Sequence, residues 1–120
     1  TAGALQVPAN CAAPVSAQIT MRDAGGVSVA VDLDFLQTGP QTWDIRIDTD
    51  AGELLLSLGG SVLRTPVGEV RAEDREYANL YRHFAALIAA GESAVDLEPL
   101  RLVNEAFDRC TVEQVAEYHE

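Results

Sequence analysis

The stretch from Val27 to Asp48 constrains the fold more than any other part of the chain. Val27, Val29, Val31, Leu33 and Phe35 alternate with Ser28, Ala30, Asp32, Asp34 and Leu36. This is the period-2 pattern of a strand with one buried face. The run Gln37-Thr38-Gly39-Pro40-Gln41-Thr42 then breaks it, because proline has no ladder donor and Gly-Pro favours a loop. Trp43, Ile45 and Ile47 resume the alternation against Asp44, Arg46 and Asp48. The only tryptophan therefore falls where a loop re-enters a sheet, a common place for a ligand-facing side chain.

The rest of the chain supplies similar short strands. Leu5 to Val7 reads as a strand stopped by Pro8, and Val15, Ala17, Ile19 and Met21 alternate with Ser16, Gln18, Thr20 and Arg22. Asp23-Ala24-Gly25-Gly26 supplies a turn, Thr49-Asp50-Ala51-Gly52 a hairpin, and Gly59-Gly60 a tight turn whose central positions need positive φ. Leu54, Leu56 and Leu58 continue the apolar face, with Leu55 out of phase, and Ser61 to Thr65 is a last short strand before Pro66. Short turns make consecutive strands antiparallel neighbours.

From Ala72 the period changes. Tyr77, Leu80, Tyr81, Phe84, Leu87 and Ile88 recur at spacings of three and four, an amphipathic helix with acidic residues Glu73, Asp74 and Glu76 near its start. Gly91 suits the left-handed cap that ends it. Asp96 is placed to cap a second helix, with Pro99 in its first turn and Leu100, Val103, Ala106, Phe107 and Cys110 as its stripe. The tail from Val112 is either a strand or frayed. The expected class is α+β: an open, mostly antiparallel sheet of five or six strands with two helices packed on one face. The other face carries Gln18, Thr20, Arg22, Asp32, Asp34, Asp44, Arg46 and Asp48. With 120 residues and no linker or repeat, residues 1–120 read as a single domain.

Nineteen acidic residues against eight basic ones give a net charge of -11, which argues against nucleic acid and anionic membranes as partners. No apolar run approaches the roughly 20 residues of a membrane span. Cys11 and Cys110 lack a CxxC partner and read as reduced residues of a cytoplasmic protein, although a disulfide between them is the other reading. There is no lysine, so chemistry that needs one must come from outside this chain. Ala4-Leu5-Gln6-Val7 looks like a strand already under way, as expected of a segment of a longer chain.

The residues themselves reveal no catalytic, metal or cofactor site. Asp32, Asp34, Asp44 and Asp48 match no calcium loop, and Arg22 and Arg46 stand ready to neutralise some of them, so a solvated or subunit-facing sheet surface is the better reading. His83 and His119 have no nucleophile or second ligand at suitable spacing, and Ser57, Ser61 and Ser93 lack a Gly-x-Ser-x-Gly context. The glycine pairs form no dinucleotide fingerprint. Trp43 differs in kind. Indole packs against the C–H face of a sugar ring, and Gln41 and Thr42 beside it can meet hydroxyls. On the residues alone, a core or interface tryptophan remains the plainer reading.

Three segments together resemble a known family. They are Leu5 to Asn10 continuing into Ala13 to Ile19, then Asp34-Phe-Leu-Gln-Thr-Gly-Pro-Gln-Thr-Trp-Asp-Ile45, then Tyr81 to Ile88 with Val95-Asp-Leu-Glu-Pro-Leu-Arg-Leu-Val103. They are similar to the C-terminal domain of Gfo/Idh/MocA sugar oxidoreductases, in the branch of the D-galactose and L-arabinose 1-dehydrogenases. The resemblance covers nearly the whole chain. It implies an N-terminal Rossmann domain, absent here, that holds NAD or NADP and carries the Glu-Lys-Pro lysine. A second motif, Asp-x-Gly followed by His or Asn, belongs before the sheet and is likewise missing. The resemblance further implies that Trp43, Gln41 and Thr42 face the sugar and that the exposed sheet face builds a homo-oligomer. Phe35 stands where that branch has a tryptophan, and Asp108-Arg109-Cys110 departs from its usual helix end. The chain alone is then expected neither to bind nucleotide nor to turn over sugar. Two other classes stand beside this one. The first is a free-standing binding or assembly module that uses the sheet face. The second is a small enzyme relying on His83, Tyr77 or Tyr81.

Overall fold

The structure is a computed structural model and describes residues 1–119. The chain is α+β, and its described residues form eight strands and two helices: β1 (Ala2–Pro8), β2 (Ser16–Arg22), β3 (Ser28–Asp34), β4 (Ile45–Thr49), β5 (Gly52–Ser57), β6 (Val62–Thr65), β7 (Gly68–Arg71), α1 (Glu76–Ala90), α2 (Glu98–Arg109) and β8 (Thr111–Val115). The strands form two open four-stranded sheets rather than one sheet of five or six. The chain divides into two compact units, residues 1–38 with 95–120 and residues 39–94.

The first unit holds a mixed sheet in the order β3-β2-β1-β8. β1, β2 and β3 are antiparallel neighbours, with Leu5 opposite Ala17 and Ala17 opposite Leu33. β8 pairs with β1 in parallel, Leu5 against Val112. The side chain of Asn10 holds the tail beyond β8: its Nδ2 donates to the Tyr118 carbonyl at 2.7 Å and its Oδ1 accepts from the Tyr118 N–H at 2.9 Å. The tail is thus a strand with a clamped end. The alternation places Leu5, Ala17, Ile19, Met21, Val31 and Leu33 on one face, and Gln6, Ser16, Gln18, Thr20, Asp32 and Asp34 on the other. α2 packs on β1 through Ala106, which is buried with Leu5, Ala17 and Ile19. A methyl group at that point lets helix and sheet approach closely. Leu100, Val103 and Phe107 of the expected stripe are more than half exposed.

The second unit is an antiparallel meander, β4-β5-β6-β7, followed by α1. Ile45 pairs with Leu56 and Leu56 with Leu63, which pairs with Val70, giving one apolar row. Leu55, out of phase in sequence, lies opposite both Arg46 and Arg64 on the charged face. β7 was not anticipated. Pro66 opens a turn instead of ending the sheet, because Val67 and Gly68 carry the chain back and Gly68 accepts a φ of 157°. α1 has the expected stripe and ends on Gly91 at φ 67°, yet none of its residues is buried. Of the two helices expected on one sheet face, α2 packs on β1, and among the described residues α1 shows no comparable packing on a strand.

In the β5–β6 turn Gly59 and Gly60 take the expected positive φ, 65° and 89°, and the Ser61 N–H donates to the Leu58 carbonyl at 3.3 Å; a second, overlapping turn begins one residue earlier. Leu58 and Gly59 take φ of 52° and 65°, and the Gly60 N–H donates to the Ser57 carbonyl at 3.1 Å. Both central positions of such a mirror-image turn are left-handed, which a leucine adopts at a cost of roughly 1–2 kcal/mol. Leu58 is 69% exposed, so it recovers little by packing. Leu58→Asn is therefore expected to raise stability by about 0.5–1 kcal/mol in urea unfolding, since asparagine tolerates this region.

Charges on α2 are organised around two carboxylates. Arg101 donates to Glu98 at 2.5 Å and 2.8 Å and to Glu105 at 2.7 Å, and the Thr1 hydroxyl donates to Glu105 at 2.6 Å. The Thr1 hydroxyl and the Arg101 guanidinium hold the Glu105 carboxyl below the usual carboxylate range, and Arg101 does the same for Glu98. A carboxylate whose folded value is depressed stabilises the fold above its unfolded value near ~4.3 and loses that contribution as pH falls through the folded value. Acid titration of the thermal midpoint should show a decline below about pH 4.3. Glu105→Gln should flatten that limb and lower the midpoint at pH 7.

Candidate functional site

The loop between β3 and β4 carries the residues picked out for a sugar. Gly39 turns it with φ 85°, and Gln41, Thr42 and Trp43 follow in a non-strand segment that runs into β4 at Ile45. All three are exposed, Trp43 at 55%, so the indole is not a core residue of its unit. The hydrogen bond and charge of Glu69, and to a smaller extent the charge of Asp44, next to Trp43 in the chain, favour the charged form of the Arg64 guanidinium. On the charged face of the second sheet, Arg64 Nε and Arg71 Nε both donate to Glu69, at 2.8 Å and 2.7 Å, and these hydrogen bonds lower the Glu69 carboxyl, Arg64 first. A half-exposed indole can offer a sugar ring an apolar face. Glu69 and Arg71 sit on β7, a strand that no alternation in the sequence marks.

The four aspartates are divided between the two units. Asp32 and Asp34 lie on β3 in the first unit, whereas Asp44 and Asp48 belong to the second. Arg46 pairs with Glu53 at 3.3 Å, and Arg22 donates to the Gly26 carbonyl at 3.4 Å, so neither arginine takes an aspartate as its partner in these contacts. Among the described residues, no three His, Cys, Asp or Glu side chains gather as metal ligands. Cys11 and Cys110 are free thiols. His83 is exposed on α1, His119 sits 3.2 Å from Glu117 in the tail, and Tyr77 and Tyr81 are exposed on α1 with ring centroids 6.4 Å apart. No helix among the described residues is long and apolar enough to cross a membrane.

The residues present do not fit a dinucleotide. That ligand needs glycines between a strand and a helix N-terminus, so that backbone N–H groups meet the pyrophosphate. Gly59 and Gly60 join β5 to β6, Gly68 opens β7, and Gly91 closes α1.

Two depressions lie in the first unit. One, of about 570 Å³, runs along the charged side of α2 past Arg101, Asn104 and Asp108. The other, of about 340 Å³, is apolar and lies between α2 and the β1–β3 face. Neither includes the Trp43 loop.

No protein-family model matches the chain. It is 41% identical to the galactose 1-dehydrogenase of Pseudomonas fluorescens over 104 residues, which is 86% of this chain and 34% of that protein. The crystal structure of D-galactose-1-dehydrogenase from Rhizobium etli superposes with a TM-score of 0.90 at 43% identity, covering 99% of this chain and 38% of that one. The chain is thus related to oxidoreductases that act on sugars. More particularly, it is homologous to galactose 1-dehydrogenases and spans about a third of their length, and this implies the Gfo/Idh/MocA family that the sequence resembles.

Proposed function

We propose that this chain is the C-terminal, sheet-forming part of a cytoplasmic NAD(P)-dependent sugar 1-dehydrogenase. The intact enzyme oxidises an aldose such as galactose or arabinose at C1 to the aldonolactone. In this reading Trp43 stacks on the sugar ring and Gln41 and Thr42 meet its hydroxyls. The polar sheet face packs against another subunit of a homo-oligomer. Nucleotide and general acid–base groups come from an N-terminal Rossmann domain outside these 120 residues, in keeping with the missing lysine and the absence of a fitting glycine loop here. The observation that carries the reading is the agreement of 41% and 43% identity with a backbone match of TM-score 0.90 over nearly the whole chain.

The test is kinetic and uses the longer polypeptide that contains this chain. It should reduce NAD or NADP with galactose or arabinose as donor. Losing ring stacking is worth roughly 0.5–1.5 kcal/mol, so Trp43→Ala should raise the sugar KM about two- to thirteenfold. The cofactor KM should stay unchanged. An unaltered sugar KM would remove Trp43 from the pocket, and the absence of any sugar-dependent reduction would remove the enzyme reading altogether.

A further inference from the structure

Among the described residues, Leu58 is the one non-glycine position with a positive φ, 52°, and it leads a run in which Gly59 and Gly60 follow at 65° and 89°. The turn is firmly held. The Ser61 Oγ and N–H both donate to the Leu58 carbonyl, at 2.8 Å and 3.3 Å, and the Ala72 N–H donates to the Ser61 carbonyl at 2.9 Å. These bonds fix the leucine in a conformation that glycine or asparagine takes at far lower cost. Packing within its own unit does not offset that cost, because the side chain is 69% exposed. Strain of this kind persists chiefly where a residue is kept for what it touches.

The β4–β5 ladder places a second exposed apolar residue at the same end of the sheet. Its last pair is Ile45 with Leu56, and Trp43 and Leu58 stand two residues beyond that pair on their two chains. Two residues span at most about 7 Å, so both lie close to the end of this ladder. Alternation assigns Trp43 to the side of Ile45 and Leu58 to the side of Leu56, which is the same apolar row. Both belong to the compact unit of residues 39–94. We propose that Leu58 is a second sugar-contacting residue, its methyl groups meeting C–H groups of the aldose whose ring stacks on Trp43. The inference rests on the proposed reading of this chain as part of a sugar dehydrogenase, and it adds a specificity-determining residue to that site. A pyranose carries apolar C–H patches between its hydroxyls. An indole covers one ring face, and a branched aliphatic chain beside it excludes water from an adjoining patch. The left-handed backbone at Leu58 is then a loss of stability tolerated for binding, a trade-off common at functional sites.

The test sets stability against affinity in the longer polypeptide. Leu58→Asn should raise the urea midpoint and yet raise the sugar KM about three- to tenfold, with kcat and the cofactor KM unchanged. Leu58→Met should recover most of the lost affinity, because its flexible thioether chain restores apolar reach. Val67 is 96% exposed in the β6–β7 turn at the opposite end of the same sheet, so Val67→Asn should leave the sugar KM as it is. An unchanged sugar KM in Leu58→Asn, an equal rise in Val67→Asn, or no recovery in Leu58→Met would each overturn the proposal. If one of these occurs while Trp43→Ala still raises the sugar KM, Leu58 leaves the site and the dehydrogenase reading stands. If the unsubstituted polypeptide shows no sugar-dependent reduction of NAD or NADP, both fall.

Discussion

Leu5→Ala should cost about 2–4 kcal/mol, seen as a lower urea midpoint with an unchanged slope. Leu5 is only 3% exposed and joins Ala17, Ile19 and Ala106 in the one buried cluster of the first unit. It is also the point where both neighbours of β1 meet, opposite Ala17 on β2 and Val112 on β8. Its partners are small or already held in strands, so the site collapses poorly around the lost atoms, and cavity cost adds to transfer cost. The loss is a large share of the 5–15 kcal/mol typical of a domain. A change below about 1 kcal/mol would show that the helix–sheet contact is not what holds this unit together.

Gly3→Ala is the second large effect, and its cause is steric. A Cβ at Gly3 would lie 2.1 Å from the Gln18 carbonyl oxygen and 2.9 Å from Ile19 Cα, both rigid backbone of the paired strand. No side-chain rotation relieves such an overlap, so β1 must pull away from β2. The expected cost is about 2–3 kcal/mol. Amide exchange should localise it, with protection lost around Ile19 and Thr20 and kept in the β5–β6 hairpin. Unchanged protection at those two amides would mean that β1 has room to shift.

Much of this architecture is legible in single residues, and the rest is not, for an identifiable reason. Ala17, Ile19 and Val31 lie on the face that the period-2 pattern assigns, and Gly91 takes the left-handed cap because only glycine does so cheaply. Side-chain alternation, however, states which face a residue occupies and is silent about which strand lies next to it. Pairing is made by backbone N–H and C=O groups that every residue shares. The split into two sheets, the Pro66–Gly68 turn into β7 and the parallel pairing of β8 with β1 across more than a hundred residues were therefore invisible. So was the Arg64–Glu69–Arg71 cluster on the second sheet.

The helices show the same division. The spacing of Tyr77, Leu80, Phe84 and Ile88 is enough to make α1 a helix with one apolar side, but it assumes a partner for that side, and none of its residues is buried here. By itself the sequence determined element types, the faces of β2, β3 and β4, and the kinship with sugar dehydrogenases, because these reside in local spacing and residue identity. Only the tertiary structure decided which strands are neighbours, which apolar residues reach a core and which remain in water. Those outcomes depend on burial between segments far apart in the chain, which no local pattern encodes.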